Sequence, residues 1–135
     1  MIVMITDGIT QKNFDETQDV RRFDHGHADV VEMSGATVGR VTFEPGWRWT
    51  THLAAVAGTD SCHALHTGVV LSGRLHIRMD DGRETEAGPG DALVISRGHD
   101  AWVVGSEPAV MIDWTGLAPV PQAGPFSPAA SSTTR

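Results

Sequence analysis

Cys62, His63 and His66 fall within five consecutive positions, with Asp60 just ahead of them. Thiols and imidazoles bind borderline metals, and they also carry proton transfer and nucleophilic chemistry. The other histidines are spread more thinly, at 25, 27, 52, 76 and 99. Spacing sets a condition on any shared chemistry. Along one straight strand Cys62 and His66 would lie about 13 Å apart. One ion with ligand distances of about 2.0–2.3 Å cannot bridge that gap. His63 and His66 would face opposite sides of the same strand. The residues meet only if the chain turns between positions 62 and 66.

The flanking elements must supply that turn, and they read as short strands. Residues 6–19 are polar and acidic, and form an irregular arm. Val20–Phe23 suits a strand, and Asp24-His25-Gly26-His27 a turn. Asp29–Met33 and Ala36–Phe43, joined by Ser34-Gly35, have the pattern of a hairpin. After Pro45-Gly46, alternation from Trp47 to His52 predicts a strand with both tryptophans on one face. Leu53–Thr59 reads as a loop. Leu75, Ile77 and Met79 alternate with Arg74, His76 and Arg78, which puts His76 on a polar face. Asp80-Asp81-Gly82-Arg83 is a strong hairpin turn. Ala92–Ile95, Ala101–Val104 and Ala109–Trp114 complete a set of nine to eleven short strands with no convincing amphipathic helix. That is an all-β sandwich or barrel. The domain spans residues 20–116, between an arm at 1–19 and a Pro-, Ala- and Ser-rich tail at 117–135 expected to be disordered.

Composition removes several classes of function. The chain has 135 residues, enough for one core. Its formal charge is −7, with only ten Lys and Arg, and those are scattered. Nucleic acid and anionic membrane surfaces call for clustered cations, so neither is an expected partner. No apolar run approaches a membrane span, and Met1–Ile5 is too short for a signal peptide. The single cysteine forbids an internal disulfide, which suits a cytoplasmic protein.

The order of punctuation carries a further signal. Pro45-Gly46, the Cys/His cluster, Val69-Val70-Leu71-Ser72-Gly73, Gly88-Pro89-Gly90-Asp91 and Ile95-Ser96-Arg97-Gly98-His99 follow one another. Over residues 38–114 this resembles the cupin superfamily. The resemblance implies a double-stranded β-helix, the jelly-roll barrel, with three histidines and a glutamate holding a divalent metal inside. It also implies a homodimer. In register with the first cupin motif, whose closing glycine is Gly73, the glutamate position is His66 and the two histidine positions are Cys62 and Asp60. The second motif opens on Gly90 and keeps Gly98, but has Ser96, Ala101 and Gly105 at its proline, histidine and asparagine positions. His99 stands two residues before Ala101, on the same strand face.

The candidate ligand set is therefore Cys62, His66, Asp60 and His99. A thiolate with imidazoles favours zinc, or copper or nickel, over iron. The pocket walls are expected from Trp47, Trp49, Trp102 and His52, and the ligand is a small molecule. Each residue also has a plainer reading. A lone cysteine packs as a small hydrophobe, paired tryptophans fill a core, and a Gly-His-Asp turn is solvated, with Asp100 either fixing the tautomer of His99 or capping the turn. The leading expectation is a cupin barrel with metal-assisted chemistry on a small organic molecule. A metal-free barrel that binds or senses a small ligand is the alternative, and a barrel serving only association is a third.

Overall fold

The computed structural model describes residues 8–117, so the expected tail beyond residue 117 and the apolar start at Met1–Ile5 lie outside the described residues. Nine strands run through them: β1 Asp19–Phe23, β2 Gly26–Met33, β3 Ala36–Phe43, β4 His66–Ser72, β5 Leu75–Met79, β6 Glu84–Ala87, β7 Ala92–Ile95, β8 His99–Val103 and β9 Ala109–Asp113. They form a six-stranded sheet in the order β1-β2-β3-β9-β4-β7 and a three-stranded sheet in the order β6-β5-β8. All of the strand pairs are antiparallel.

Period-two alternation builds the core, as it must where one face of a sheet is dry. In β3, Thr37, Gly39, Val41 and Phe43 point inward, while β9 contributes Ala109, Met111 and Asp113. β5 adds Leu75 and Ile77 from the opposing sheet. β4 and β9 pack so closely that a Cβ on Gly68 would strike the carbonyl of Ile112. Gly73, in the left-handed region at φ +72, turns the chain from β4 into β5 where a side chain would collide with the backbone of Pro108.

The predicted hairpin at Ser34-Gly35 and the turn at Asp80–Arg83 are both present. The strand predicted for Trp47–His52 is not. Its second half is a single helical turn, α1 Trp49–His52, and the predicted loop after it carries another, α2 Ala54–Ala57. A distant residue decides this. Asp100 accepts the backbone N–H of Thr50 at 3.1 Å and its hydroxyl at 3.0 Å, capping a helical start that local alternation does not announce. Trp47 and Trp49 are nevertheless both buried. The arm is docked rather than loose from residue 10 onward. Thr17 donates to the carbonyl of Val30 at 2.6 Å, and Asp15 accepts from Arg40 at 2.6 Å. No helix among the described residues is long and apolar enough to cross a membrane.

Candidate metal centre

Three chain segments bring Cys62, His66 and His99 together. Cys62 is tied to the start of β8 through a two-way backbone bridge. Its N–H donates to the carbonyl of His99 at 2.7 Å, and its carbonyl accepts from Gly98 at 2.7 Å. His66 opens β4 in the other sheet, paired with Ile95 of β7. The chain thus crosses from one sheet to the other between positions 62 and 66, with Ala64 buried midway. This turn is the condition set by the spacing. Cys62 Sγ lies 3.6 Å from His66 Nε2, and one ligand atom from each of Cys62, His66 and His99 lies within 4.8 Å of the others. The two imidazoles meet edge to face, with centroids 5.2 Å apart.

Both rings are held from behind. His66 Nδ1 faces Asp113 Oδ2 at 2.6 Å, and His99 Nδ1 donates to the carbonyl of Ser96 at 2.8 Å. Each histidine therefore has its Nδ1 committed, which leaves Nε2 as the nitrogen for coordination, and His66 Nε2 already meets Cys62 Sγ. Asp113 Oδ1 in turn accepts the backbone N–H groups of Thr115 and Gly116 at 3.1 and 2.9 Å. Gly116 lies against the pair so closely that a Cβ there would collide with His66 Nδ1 and Asp113 Oδ2.

The electrostatics follow from this packing. Burial alone would push the Cys62 thiol up, but hydrogen bonds and charge from His66 and His99 bring it down to about 6. Burial would likewise disfavour a charged His66, yet Asp113 and Cys62 raise it to about 10. Desolvation works against the Asp113 carboxylate too, and its bond with His66 holds it below the usual range. The group is a compensated thiolate–imidazolium–carboxylate row.

Comparison with known proteins follows the fold. No family model matches the chain, and no curated protein matches it. Solved structures do. A sugar phosphate isomerase from a cupin superfamily, from Silicibacter pomeroyi, matches with a TM-score of 0.56 at 18% identity, covering 78% of this chain and 75% of that one. A cupin-2 domain protein from Rhodospirillum rubrum matches with a TM-score of 0.53 at 16% identity, over 71% of this chain and 62% of that one. The chain has the cupin fold. The enzyme HppE in its Fe(II) form is a third structural neighbour, with a TM-score of 0.56 at 14% identity, over 82% of this chain and 62% of that one.

Within the cupin barrel, a cavity of about 40 Å³ lies beside the cluster. His66, His99 and Asp113 supply its polar wall, and Trp47, Trp49 and Met111 are among its apolar lining. Cys62 is fully buried and does not line this cavity. A thiol so placed is shielded from anything in the cavity, which argues against a nucleophilic role.

Three expectations need correction, and one alternative left open for Asp100 is decided. Asp60 is exposed and has no place in the cluster, because the bridge to His99 fixes Cys62 inward and leaves Asp60 beyond it. Trp102 does not line the cavity; alternation in β8 turns His99 and Ala101 inward and Trp102 out. There it stacks between the guanidinium of Arg48, 4.3 Å from its ring centroid, and His76 at 4.6 Å. His52 also lies away from the cavity, its Nδ1 accepting the N–H of Arg48 at 3.0 Å. Asp100 is not the partner of His99: it binds Arg48 Nε at 2.8 Å and caps α1, while the Ser96 carbonyl orients His99.

Asp113 was not among the sequence candidates. Its signal was a carboxylate on the inward stripe Ala109, Met111, Asp113, where a buried charge demands a partner. A second group, Asp24, His25 and His52, also gathers ligand atoms within 4.8 Å. It lies near the surface, where His25, at φ +68, stacks on His52 with centroids 4.1 Å apart.

Proposed function

We propose that Cys62, His66 and His99 hold a divalent metal, zinc by the chemistry of the donor set, and that the adjoining cavity takes a small organic substrate. One observation carries this reading: three donor residues from three segments converge, and each imidazole already has its Nδ1 committed. The donors fit a soft or borderline ion, since a thiolate and two imidazoles, with His66 giving up its Nε2 proton on binding, match zinc better than magnesium or calcium. Three protein ligands, with no fourth among the described residues, is also the usual count for a centre that keeps a position open.

A bound metal would supply Lewis acidity toward a carbonyl or lower the pKa of a coordinated water. The chain's own residues do the rest. Asp113 holds the His66 ring and keeps its proton at Nδ1. Ser96 does the same for His99. Trp47, Trp49 and the aliphatic lining exclude bulk water, which strengthens every polar contact inside. The same reading takes the protein as a homodimer, as the cupin resemblance implies, and as cytoplasmic, which its single cysteine suits; sedimentation would measure the assembly.

The alternative is a metal-free barrel that binds a small ligand. It draws on the same row of charges, which is already compensated without an ion. Metal content of protein purified without chelator separates the two. Near-stoichiometric metal, lost in Cys62→Ala and His66→Ala and kept in His25→Ala, supports the centre. Metal that follows His25 instead, or none even after zinc is added, leaves the ligand-binding barrel.

A further inference from the structure

A second set of donors gathers where α1 meets the turn between β1 and β2. Asp24, His25 and His52 each offer one ligand atom, and those atoms lie within 4.8 Å of one another. None of the three lines the cavity or belongs to the buried cluster. The rings of His25 and His52 stack with centroids 4.1 Å apart. Asp24 Oδ1 stands 2.8 Å from His25 Nδ1. That is about the spacing of two neighbouring ligands on one ion at bond lengths of about 2.0–2.2 Å. His52 Nδ1 faces the backbone of Arg48, 3.0 Å from its N–H and 3.2 Å from its carbonyl. Its Nε2 is therefore the nitrogen for an ion. With Nε2 bound, the ring proton sits on Nδ1, where the Arg48 carbonyl accepts it.

The chain holds this arrangement at a cost. His25 lies in the left-handed region at φ +68, which residues other than glycine seldom adopt. Gly26 beside it serves a different need, since a Cβ there would strike the Phe23 ring and the Thr42 carbonyl at 2.5 Å. The His25 carbonyl accepts the N–H of Glu44 at 2.8 Å, which fixes the turn. Gly46 then leaves the Cδ2–Nε2 edge of the ring uncovered, where a Cβ would stand 3.8 and 4.0 Å away. The His25 side chain is 42% exposed and that of Asp24 66%, so an ion from solvent reaches the set without any opening of the barrel.

We propose that Asp24, His25 and His52 form a second metal site, which takes a borderline divalent ion such as copper(II), nickel(II) or zinc. Two imidazoles and a carboxylate favour such ions over magnesium and calcium, and copper(II) binds such donors tightest of the first row. The site shares no residue with the buried centre and stands or falls without it. Its donors are solvated and must close from 4.8 Å to about 4 Å, the most that one ion spans. Affinity is therefore lower than at the buried cluster, and the ion leaves during purification without added metal. When filled, the site fastens the β1–β2 turn to α1, the helical turn whose Trp49 lines the cavity.

Copper(II) reports its ligands directly. It is titrated into Cys62→Ala, which disables the buried centre and removes the thiol that would reduce the ion. One saturable equivalent, with an electron paramagnetic resonance spectrum split by two imidazole nitrogens, is the expected result. His25→Asn keeps a residue that tolerates the left-handed turn, and His52→Gln keeps a polar side chain at the end of α1. Each should lose that equivalent. Asp24→Asn should weaken it about 10–100-fold, while His63→Ala and His76→Ala leave it unchanged. Should Cys62→Ala not fold, nickel(II) calorimetry on the parent protein reads the same site as a phase that His25→Asn removes. Copper held equally well after His25→Asn or His52→Gln would overturn the inference. So would a spectrum with one nitrogen or none, affinity that follows His63 or His76, or no saturable binding at all.

Discussion

Asp113 acts through His66, so its removal tests positioning rather than ligation. With Asp113→Asn the ring loses a charged partner at 2.6 Å but the cavity keeps its shape. Metal affinity should fall about 10–100-fold, measured by competition with a chelating dye, while the circular dichroism spectrum stays unchanged. Undiminished affinity would mean that Asp113 does not orient a ligand. The thiol gives a second check at this scale. Because Cys62 is the sole cysteine, thiolate absorbance in the metal-free protein reports one group. Thiolate should form as pH rises through about 6, well below the usual 8.5 or so, and the midpoint should move upward in His66→Ala. A midpoint left near the ordinary thiol value would deny the thiolate–imidazolium pair. The sequence carried Cys62, His66 and His99 because thiol and imidazole are rare enough to notice. Asp113 escaped notice because one carboxylate among many looks ordinary until its strand face is known.

At the level of elements, α1 shows what local pattern cannot carry. Trp47 to His52 alternates well enough for a strand, yet Asp100, fifty residues away, binds the backbone of Thr50 and the side chain of Arg48 and fixes a helical turn. Asp100→Ala should cost about 1–3 kcal/mol by denaturant unfolding and leave metal stoichiometry intact. Loss of metal with no loss of stability would contradict the assignment of Asp100 to the helix cap. Gly116, in the turn after β9, has the opposite profile. Adding a methyl in Gly116→Ala drives it between His66 and Asp113, and the variant should reproduce the weakened metal affinity of Asp113→Asn. The β-hairpins, by contrast, were legible because Ser34-Gly35 and Asp81-Gly82 specify their turns within a few residues. Trp102 was misplaced for a related reason: alternation tells which residues share a face, and only the register of β8 tells which face is inside.

Across the whole molecule, the cluster joins the two sheets. His66 belongs to the six-stranded sheet, while His99, with Cys62 bridged to it, belongs to the three-stranded one. An ion bound there ties the halves of the barrel together. Metal at about 100 times its Kd should add about 2.7 kcal/mol to stability, seen as a higher Tm that a chelator reverses and that Cys62→Ala never shows. The fold was readable at this scale from strand count and glycine spacing, since those reflect backbone turns that a barrel cannot do without. The ligand set was only partly readable: Cys62, His66 and His99 stood out by residue type, but the cupin register added Asp60, which the structure leaves exposed and outside the cluster. X-ray absorption at the zinc edge of the zinc-loaded protein is the most direct measurement. One sulfur at about 2.3 Å with nitrogen at about 2.0–2.1 Å is the shell expected for Cys62, His66 and His99. A shell of nitrogen and oxygen alone would put the ion elsewhere and contradict the centre.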